Sequence, residues 1–315
     1  MTRPLAVYYE HPDWFLPLFA ELDARNISYL KLDASRHSYD PAAIAADFSL
    51  FFNRMSASAY LRGNSQAIFF THAYLAHLEG AGVRVLNGSW AFALEASKAR
   101  QLRLLRSLGI SFPKTRVVNC ISEILSAAQE IGFPLLIKPN IGGRGTGIVR
   151  FDSIEQLEAA IEACTLQLGI DQIALIQEFI PARNGQITRV ETLGGKFLYA
   201  INILVTGESF NLCPAELCQI ESVAEFPETA GANSAGLKVE SFTPPRPLID
   251  AVEKIVAAAG IDAGGVEYMI DDRDGRAVFY DINALSNFVA DAPRVIGFDP
   301  HIQLVDFLER QLGDH

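Results

Sequence analysis

Residues 137–147 read IKPNIGGRGTG, and this stretch decides how the chain around it is interpreted. Four of the six residues from Gly142 to Gly147 are glycine. The segment GIVRF, which starts at Gly147 and contains β-branched residues, follows the loop. A P-loop needs its lysine after the glycines, and both the P-loop and the dinucleotide fingerprint continue into a helix. Here Lys138 precedes the glycines. The pattern therefore predicts a strand, a glycine loop and a second strand.

The glycine loop has the composition of an anion-binding turn. Glycine lets the backbone approach a ligand closely, and successive N–H groups can then point at one anion. Lys138, at the end of the incoming strand, adds a positive point charge, and Arg144 lies on the tip of the loop. The alternative is a mobile surface hairpin that binds nothing, and the loop taken alone leaves both interpretations open.

A second hairpin carries acidic side chains. Residues 264–288 read GGVEYMIDDRDGRAVFYDINALSNF, in which Arg273–Gly275 predicts a three-residue turn with the glycine in the left-handed conformation. Counting back along both strands places Glu267 opposite Asp281. Because side chains alternate between the two faces of a strand, Asn283 shares a face with these two carboxylates.

This acidic patch predicts a metal site. Like charges directly opposite each other destabilise a sheet, and a hard dication removes that repulsion. Mg²⁺ is usually held by one or two carboxylates together with substrate phosphates. An exposed acidic sheet face without a metal is the alternative. The turn acids Asp271, Asp272 and Asp274 are assigned to solvated turn chemistry.

The two hairpins together predict that the chain binds a nucleoside triphosphate with Mg²⁺. Residues 175–180 read LIQEFI and lead into Pro181. A strand that bends at a proline can offer backbone N–H and C=O groups to a base, so this segment is the predicted adenine edge. The signal is weak alone, because any buried strand has a similar sequence.

The N-terminal part of the chain alternates between apolar strands and amphipathic helices. The predicted strands are PLAVYYE, SYLKLDA, DFSLFFNRM and VRVLNG, and two helices lie among them. This alternation predicts a parallel sheet covered on both faces. Such sheets bind ligands beyond the carboxyl ends of their strands, where Asn53 and Arg54 fall.

The following segments mix helices with antiparallel strands. Residues 91–109 predict one helix that stops at Gly109, and a further helix is expected to open at Ser122 as its N-cap. The glycine pair Gly194–Gly195 separates two strand-like runs and predicts a hairpin.

Composition excludes several classes of protein. The net charge of −11 argues against a general nucleic-acid binder, which needs a basic surface. No signal peptide or long apolar run is present, so no membrane association is expected and the cytoplasm is the predicted location. The four cysteines form no CxxC pair, which predicts buried free thiols rather than a zinc or redox site.

The ordered motifs resemble those of the ATP-grasp superfamily, and more closely its RimK-like carboxylate–amine ligases. In chain order they are NGSWAFALEASKARQLRLLRSLGISFPKT, PLLIKPNIGGRGTGI, LIQEFI, ITRVETLGGKFLYAI, GGVEYMI and YDINALSNF. The resemblance covers nearly the whole chain and implies an α/β protein of the α+β ATP-grasp class. It implies a parallel α/β pre-ATP-grasp domain over residues 1–88, followed by two α+β subdomains, 89–180 and 181–315, that clamp ATP.

The resemblance also implies roles for the residues that match the family's motifs. Lys98 and Lys138 would contact the ATP phosphates and the adenine side of the cleft, and Arg189 would stabilise the transferred phosphoryl group or the acyl phosphate. The implied lid over the β- and γ-phosphates comprises Gly142, Gly143, Arg144, Gly145, Thr146 and Gly147. The implied adenine hinge comprises Gln177, Glu178, Phe179 and Ile180. The implied Mg²⁺ ligands are Glu267, Asp281 and Asn283. A solvated helix lysine and a surface strand arginine are the alternatives for Lys98 and Arg189.

Four features depart from the family's pattern. The last ligand pair usually reads Glu-x-Asn, whereas this chain has Asp281 before Asn283, and the first ligand is often Asp, whereas this chain has Glu267. These two changes offset each other in length. A basic residue is common where this chain has Asn202, and the loop TGESFNLCPAE lacks the usual paired glycines. These departures bear on the acceptor substrate more than on the ATP chemistry.

The sequence contains fewer motifs for the part of the site that binds the substrates. Arg54 and Arg62 follow an N-terminal strand and are candidates for binding a substrate carboxylate, with surface arginines as the alternative. The other candidates are Asn202, Ser286, Asn287 and Arg294.

The predicted function is an ATP-dependent ligase that joins a small-molecule or peptide carboxylate to an amine through an acyl phosphate. An ATP-binding protein of the same fold without ligase turnover is the main alternative. A carboxylase or carboxylate–thiol ligase component is the third, although it normally brings extra domains or a partner. Such ligases are often dimers or tetramers, so a homo-oligomer is among the expected states.

Overall fold

The computed structural model describes residues 3–42, 47–204 and 238–313 of the 315-residue chain. These residues form three separate sheets, one parallel and two antiparallel, with helices packed against them. No helix within the described ranges is long and apolar enough to cross a membrane.

The first sheet is parallel, with strand order β2-β1-β3-β4, as the alternating pattern predicts. Its elements are β1 (Leu5–Tyr9), α1 (Leu16–Ala24), β2 (Tyr29–Asp33), β3 (Leu50–Arg54), α2 (Ser65–Gly80) and β4 (Arg84–Leu86). Alternate residues of β1 enter different cores. Tyr8 packs with α2 on one face, and Val7 packs with α1 and the C-terminal helix on the other. Burial on both faces explains why these strands read as continuous apolar runs.

The second sheet is antiparallel and contains the glycine loop. Its strands, in the order β5-β8-β6-β7, are β5 (Thr115–Val118), β6 (Leu135–Pro139), β7 (Val149–Phe151) and β8 (Ala174–Glu178). Strands β6 and β7 pair antiparallel, with Leu135 opposite Phe151, which confirms the predicted strand–loop–strand arrangement. Helices α5 (Ile124–Ile131) and α6 (Ile154–Glu162) share one apolar core with this sheet.

The third sheet is antiparallel and holds the acidic hairpin. Its strands, in the order β11-β10-β9-β12-β13, are β9 (Ala182–Leu193), β10 (Lys196–Leu204), β11 (Lys238–Phe242), β12 (Ala263–Asp271) and β13 (Ala277–Asn283). The glycines between β9 and β10 both have positive φ, so the predicted hairpin is confirmed. Helix α7 (Arg246–Ala259) packs on this sheet, and α8 (Ala292–Ile296) and α9 (Pro300–Gly313) follow it.

The helix predicted over residues 91–109 is in fact two helices. The first, α3 (Ser89–Glu95), ends two residues before α4 (Lys98–Ser107) begins. Ser97 breaks the run because its hydroxyl accepts a hydrogen bond from the Arg100 N–H, which makes it the N-cap of α4. The expected stop at Gly109 is confirmed, since that glycine has a φ of +70°. Both helices share a core with the third sheet.

Two smaller predictions are also corrected. Ser122 does not open α5, because a 3₁₀ turn over Ile121–Glu123 precedes that helix. Cys120 and Cys164 are free thiols but lie exposed, so their predicted burial is wrong. Both residues lie in polar connecting segments rather than in a strand or helix. The segment TGESFNLCPAE, which contains Cys213, and Cys218 lie outside the described residues.

Candidate nucleotide and metal site

The acidic hairpin places Glu267 on β12 directly opposite Asp281 on β13, as predicted. The pairing is as predicted, but the turn length and the regular register predicted for this hairpin are both wrong. The backbone N–H of Asp271 bonds to the carbonyl of Arg276, so the turn has four residues rather than three. An extra residue, Tyr280, then bulges from β13 and restores the register before Asp281.

The bulge also gives Tyr280 a role that the sequence did not indicate. Its hydroxyl donates a hydrogen bond of 2.9 Å to Oε2 of Glu267. A classic β-bulge turns consecutive side chains toward the same side of a sheet. Tyr280 and Asp281 therefore line the same cavity, whereas strict alternation would have separated them.

Basic side chains surround the two carboxylates. The ammonium of Lys98 forms an ion pair with Oδ1 of Asp281, and a guanidinium nitrogen of Arg189 lies 3.6 Å from Oε1 of Glu267. Burial and the neighbouring Asp281 raise the pKa of Glu267. Burial also acts to raise the pKa of Asp281, but the charge and hydrogen bond of Lys98 outweigh it, and this pKa is lowered. The solvent-exposed alternatives for Lys98 and Arg189 are therefore excluded.

Arg189 is held by a second carboxylate that sequence reasoning missed. Its Nε donates to Oε1 of Glu191 at 2.7 Å, and another nitrogen donates to the hydroxyl of Ser286 at 2.5 Å. The Ser286 hydroxyl in turn donates to Glu191. A Cβ at position 265 would lie 2.9 Å from the Glu191 carboxylate, so any larger residue there would displace this carboxylate. The available signal was the spacing of Arg189 and Glu191, which puts both on one face of β9.

Lys138 is buried at the end of β6, facing the same cavity. Burial, followed by the nearby charge of Lys98, lowers its pKa to about 7. Among the described residues, no hydrogen bond or ion pair of its ammonium is present. An anionic ligand in the cavity would favour the charged form of this lysine.

The glycine loop forms one wall of the cavity. A Cβ on Gly143 would lie 2.5 Å from the Cβ of Ser58, and one on Gly142 would lie 3.3 Å from Cε of Lys98. The loop therefore packs against the N-terminal segment so closely that a side chain at position 143 would collide with it. Arg144 lies with its guanidinium carbon 5.8 Å from the centroid of the Trp14 ring.

The cavity brings most of the predicted site residues together. Those that line it are Lys98, Lys138, Gly142, Gly143, Arg144, Gly145, Thr146, Arg189, Glu267, Asp281, Asn283 and Asn287. Trp14, Ser56 and Ser58 also line it, and no local pattern pointed to them. Glu95 lines it too, and its carboxylate accepts a hydrogen bond from the Leu285 N–H at 3.1 Å. Burial raises the pKa of Glu95 to about 7.

The predicted adenine hinge lies outside this cavity, at the end of β8. Glu178 accepts a hydrogen bond from the Lys114 N–H at 2.7 Å, and Gln177 donates to the hydroxyl of Thr115. The Phe179 N–H bonds to the carbonyl of Pro134. Ile180 is buried. Binding of the adenine by this hinge therefore remains a prediction. In the structure, the side chains of Gln177 and Glu178 join β8 to β5 and the residue before it.

Three of the predicted substrate residues point elsewhere. Arg62 forms an ion pair with the buried Glu10, at 2.5 Å. Asn202 accepts a hydrogen bond from Thr188 at 2.7 Å. Arg294 is exposed on α8 and ion-paired with Asp291. Ser286 is occupied by Arg189, as described above.

The donor set of the acidic hairpin fits a hard divalent cation. Glu267 and Asp281 present two carboxylates on adjacent strands, and Asn283 lines the same cavity with an amide oxygen that can join them. Its buried amide nitrogen has no hydrogen-bond partner among the described residues, and as a donor it suits a phosphate oxygen rather than the metal. No group of three or more His, Cys, Asp and Glu side chains in the described ranges is arranged to hold a metal. Mg²⁺ would therefore need the Asn283 amide and phosphate oxygens to complete its shell.

Comparison with known proteins agrees with this arrangement. Residues 95–210 match the RimK-like ATP-grasp domain. Over 138 residues the chain is 33% identical to a probable alpha-L-glutamate ligase of Pseudomonas putida (strain GB-1), covering 44% of this chain and 45% of that protein. A second ligase of that name, from Shewanella frigidimarina, is 30% identical over 141 residues, covering 44% and 46%. The chain thus matches about half the length of these curated relatives.

Solved structures share the fold over nearly the entire chain. A RimK domain ATP-grasp protein from Sphaerobacter thermophilus has a TM-score of 0.66 at 22% identity, covering 96% of this chain and 98% of that one. A D-alanine–D-alanine ligase from Bacillus anthracis, complexed with ATP, has a TM-score of 0.64 at 15% identity, covering 100% and 99%. The three-sheet architecture described above is therefore the ATP-grasp fold.

Proposed function

We propose that this chain, whose residues 95–210 match the RimK-like ATP-grasp domain, is an ATP-dependent ligase that joins a carboxylate to an amine. The observation that carries the proposal is the pairing of the buried Glu267 with the half-buried Asp281 in one cavity with Lys98, Lys138 and Arg189. Two acids and three cations around one cavity suit a polyphosphate bound with a divalent cation.

The reaction needs ATP because a carboxylate is a poor electrophile. A carboxylate oxygen attacks the γ-phosphorus of ATP, ADP leaves, and an acyl phosphate forms. The amine nitrogen then attacks the carbonyl carbon, inorganic phosphate leaves, and the nitrogen loses a proton to give the amide. Phosphoryl transfer of this kind depends on positioning and charge neutralisation rather than on a protein nucleophile.

The chain's own residues supply that neutralisation. Arg189 is locked by Glu191 and Ser286, so its remaining nitrogen keeps a fixed direction toward Glu267 and the cavity. A charge that is already oriented costs little reorganisation when negative charge develops. Lys138 adds a second cation, which a bound phosphate would hold in its protonated form.

Glu267, Asp281 and Asn283 would hold Mg²⁺. The ion would neutralise phosphate charge and fix the phosphate oxygens. When no nucleotide is present, Lys98 offsets the charge of Asp281. The same lysine is therefore available to a phosphate once a dication takes over that carboxylate.

The glycine loop excludes water from the intermediate. An acyl phosphate hydrolyses if water reaches it, and a closed loop prevents this loss. The contact of Gly143 with Ser58 supports such a closed position, because it joins the loop to the N-terminal segment across the cavity mouth. Arg144 beside Trp14 adds a second contact at the same place.

Several finer features belong to this proposal. We infer that the adenine is bound near Glu178 and Ile180, and that the domains divide at residues 88 and 180. We further infer that the protein acts in the cytoplasm on small-molecule or peptide substrates, without nucleic acid or membrane partners.

ADP release with a panel of amino acids and short peptides tests the proposed function. We expect Mg²⁺-dependent ADP release that needs both a carboxylate and an amine, with the amide product detected by mass spectrometry. Tight ATP binding with no release under any pair would instead support a binding protein without turnover. Glu267→Gln serves as the control for ADP from a contaminating ATPase.

A further inference from the structure

A second cavity lies beside the first. The two share Trp14 and Asn287, so a molecule in the second cavity can reach the first past these side chains. The start of α1, the segment after β13 and the start of α9 form its walls. None of the residues assigned above to the nucleotide or the metal lines it.

Arg54 lines this second cavity at the carboxyl end of β3. The side chain is 95% buried, and its guanidinium donates to the carbonyls of Ser286 at 2.6 Å and Ala263 at 3.4 Å. No carboxylate of the described residues forms an ion pair with it, and its Nε has no hydrogen-bond partner among them. Glu191 and Glu95 act on this guanidinium through their charges but do not contact it. A buried guanidinium that no carboxylate contacts directly is costly, and a ligand carboxylate would supply that contact.

The charge of Arg54 is retained at neutral pH. Burial lowers its pKa to about 10, which still leaves the group protonated. His301, also in the cavity, has its pKa lowered by burial and is neutral there. Among the side chains that line the cavity, Arg54 is therefore the one that stays positively charged at neutral pH.

The remaining lining separates into apolar walls and an acidic rim. The apolar residues include Phe15, Leu18, Phe288, Val289, Ala292 and Leu304. Asp13 and Asp291 are exposed at the rim, and Asp299 accepts a hydrogen bond from the His301 N–H. A second carboxylate on a ligand would meet apolar walls or like charge, and either contact disfavours it.

We propose that the second cavity binds the amine substrate as an amino acid with an apolar side chain, whose non-reacting carboxylate pairs with Arg54. The inference rests on the proposed ligase function, since it names which substrate sits next to the nucleotide cavity. The amine reaches the first cavity past Asn287, and the apolar side chain occupies the walls. Glutamate, the substrate in the names of the matched relatives, is disfavoured here.

Direct binding tests the pocket independently of turnover. L-Leucine, L-leucinamide and L-glutamate are titrated into the full chain by calorimetry. Leucine and leucinamide share an amine and a side chain and differ in the carboxylate, so no protein variant is needed for the central comparison. We expect leucine to bind at least about tenfold more tightly than either of the others, because a charge-assisted hydrogen bond is lost or a charge is misplaced. Equal affinity of leucine and leucinamide, tighter binding of glutamate, or no binding of any probe overturns the proposal.

Variants add a second measurement. Arg54→Met should weaken leucine at least about tenfold and leave leucinamide unchanged, since leucinamide never uses the charge. Arg310→Met removes an exposed arginine from the same helix that borders the cavity and should change neither affinity. Thermal unfolding identifies a variant that fails to fold. If Arg54→Met weakened the binding of leucine and leucinamide equally, Arg54 would contribute only packing, and its proposed pairing with the ligand carboxylate would be wrong.

Failure of the pocket and failure of the proposed function give different results. If leucine binds as expected but no acid and amine pair releases ADP, the pocket stands and the ligase function fails. If ADP is released with other amines while leucine and leucinamide bind alike, the ligase function stands and the assignment of this cavity fails.

Discussion

Two hairpins form the site, and they differ in which part of the chain supplies the functional groups. The β12–β13 hairpin carries its chemistry on side chains, with Glu267 and Asp281 fixed across a ladder of backbone hydrogen bonds. The β6–β7 hairpin carries its chemistry on backbone, in a glycine loop whose position depends on contacts with Ser58 and Lys98. One is rigid by its own pairing, and the other is placed by distant parts of the chain.

This difference predicts how each hairpin responds to change. A substitution in the acidic hairpin should alter charge and metal binding without moving the backbone, because a ladder of hydrogen bonds holds the strands. A substitution in the glycine loop should alter geometry without changing charge. The experiments below separate these two kinds of effect.

The largest effect is expected from Glu267→Gln. The change removes one charge of the proposed metal pair while keeping the shape of the side chain. We expect ADP release to fall by about a thousandfold, as for other electrostatic groups that act on a transition state. The exposed turn acid of the same hairpin provides the control, and Asp274→Asn should leave the rate unchanged. A wild-type rate for Glu267→Gln would remove the acidic hairpin from the mechanism.

A slightly smaller effect is expected from Gly143→Ala. The new Cβ would lie 2.5 Å from the Cβ of Ser58, so the loop must move away from the cavity. Displacement of about 1 Å can cost about a hundredfold in rate, and we expect a loss of that order in kcat with an unchanged melting temperature.

Two further variants test the contact between Gly143 and Ser58. Ser58→Gly, added to Gly143→Ala, removes the colliding atom and should restore part of the rate. Gly142→Ala meets only the flexible end of Lys98, at 3.3 Å, and should cost less. Equal losses at positions 142 and 143, without recovery in the double variant, would mean that the loop does not close on Ser58.

A moderate effect is expected from Tyr280→Phe. The substitution removes the hydroxyl that holds Glu267 but keeps the ring. Partners that orient metal ligands are typically worth tenfold or more in affinity, so Mg²⁺ should bind about tenfold more weakly in the presence of ATP. Calorimetric titration of Mg²⁺ measures this. Unchanged Mg²⁺ affinity would show that the bulge fixes Glu267 without the hydroxyl.

The smallest effect concerns a proton. Because the pKa of Lys138 is about 7 in the free protein, this lysine is mostly neutral at about pH 8. A bound phosphate raises that pKa, so nucleotide binding should take up as much as one proton at that pH. Calorimetry in two buffers with different ionisation enthalpies measures the uptake. Lys138→Arg, which is protonated throughout, should bind nucleotide with less uptake, and identical uptake in both proteins would assign the proton to another group.

Much of the acidic hairpin was predictable from the sequence, for a physical reason. Pairing partners in a hairpin follow from the turn, and faces alternate with a period of two, so Glu267, Asp281 and Asn283 could be grouped by counting. The count reached the right pair although the turn is one residue longer than predicted, because the bulge at Tyr280 compensates. Local rules identified the strands but not the irregularity between them.

The supporting residues were not predictable in the same way. Glu191, Glu95 and Trp14 come from a strand, a helix and an N-terminal loop that are far apart in sequence. Nothing in the neighbourhood of Glu95 or Trp14 distinguishes it from an ordinary polar or aromatic position, whereas Glu191 shares a strand face with Arg189. Arg62 and Asn202 do not line the cavity. Arg62 is ion-paired with Glu10, and Asn202 bonds to Thr188, which lies directly opposite it in the β9–β10 ladder.

The sequence by itself determined the parallel N-terminal sheet, the strand–loop–strand form of the glycine stretch and the pairing of two acids, because these depend on periodicity and register within short segments. Only the tertiary structure decided that the glycine loop packs on Ser58, that Glu191 orients Arg189, and that the buried Arg54 faces a second cavity. Glu191 and Arg189 lie two residues apart on β9, but Ser286, which bonds to both, comes from a distant part of the chain. The contacts of the glycine loop and of Arg54 likewise join segments far apart in sequence, and their geometry arises only when the three sheets pack together.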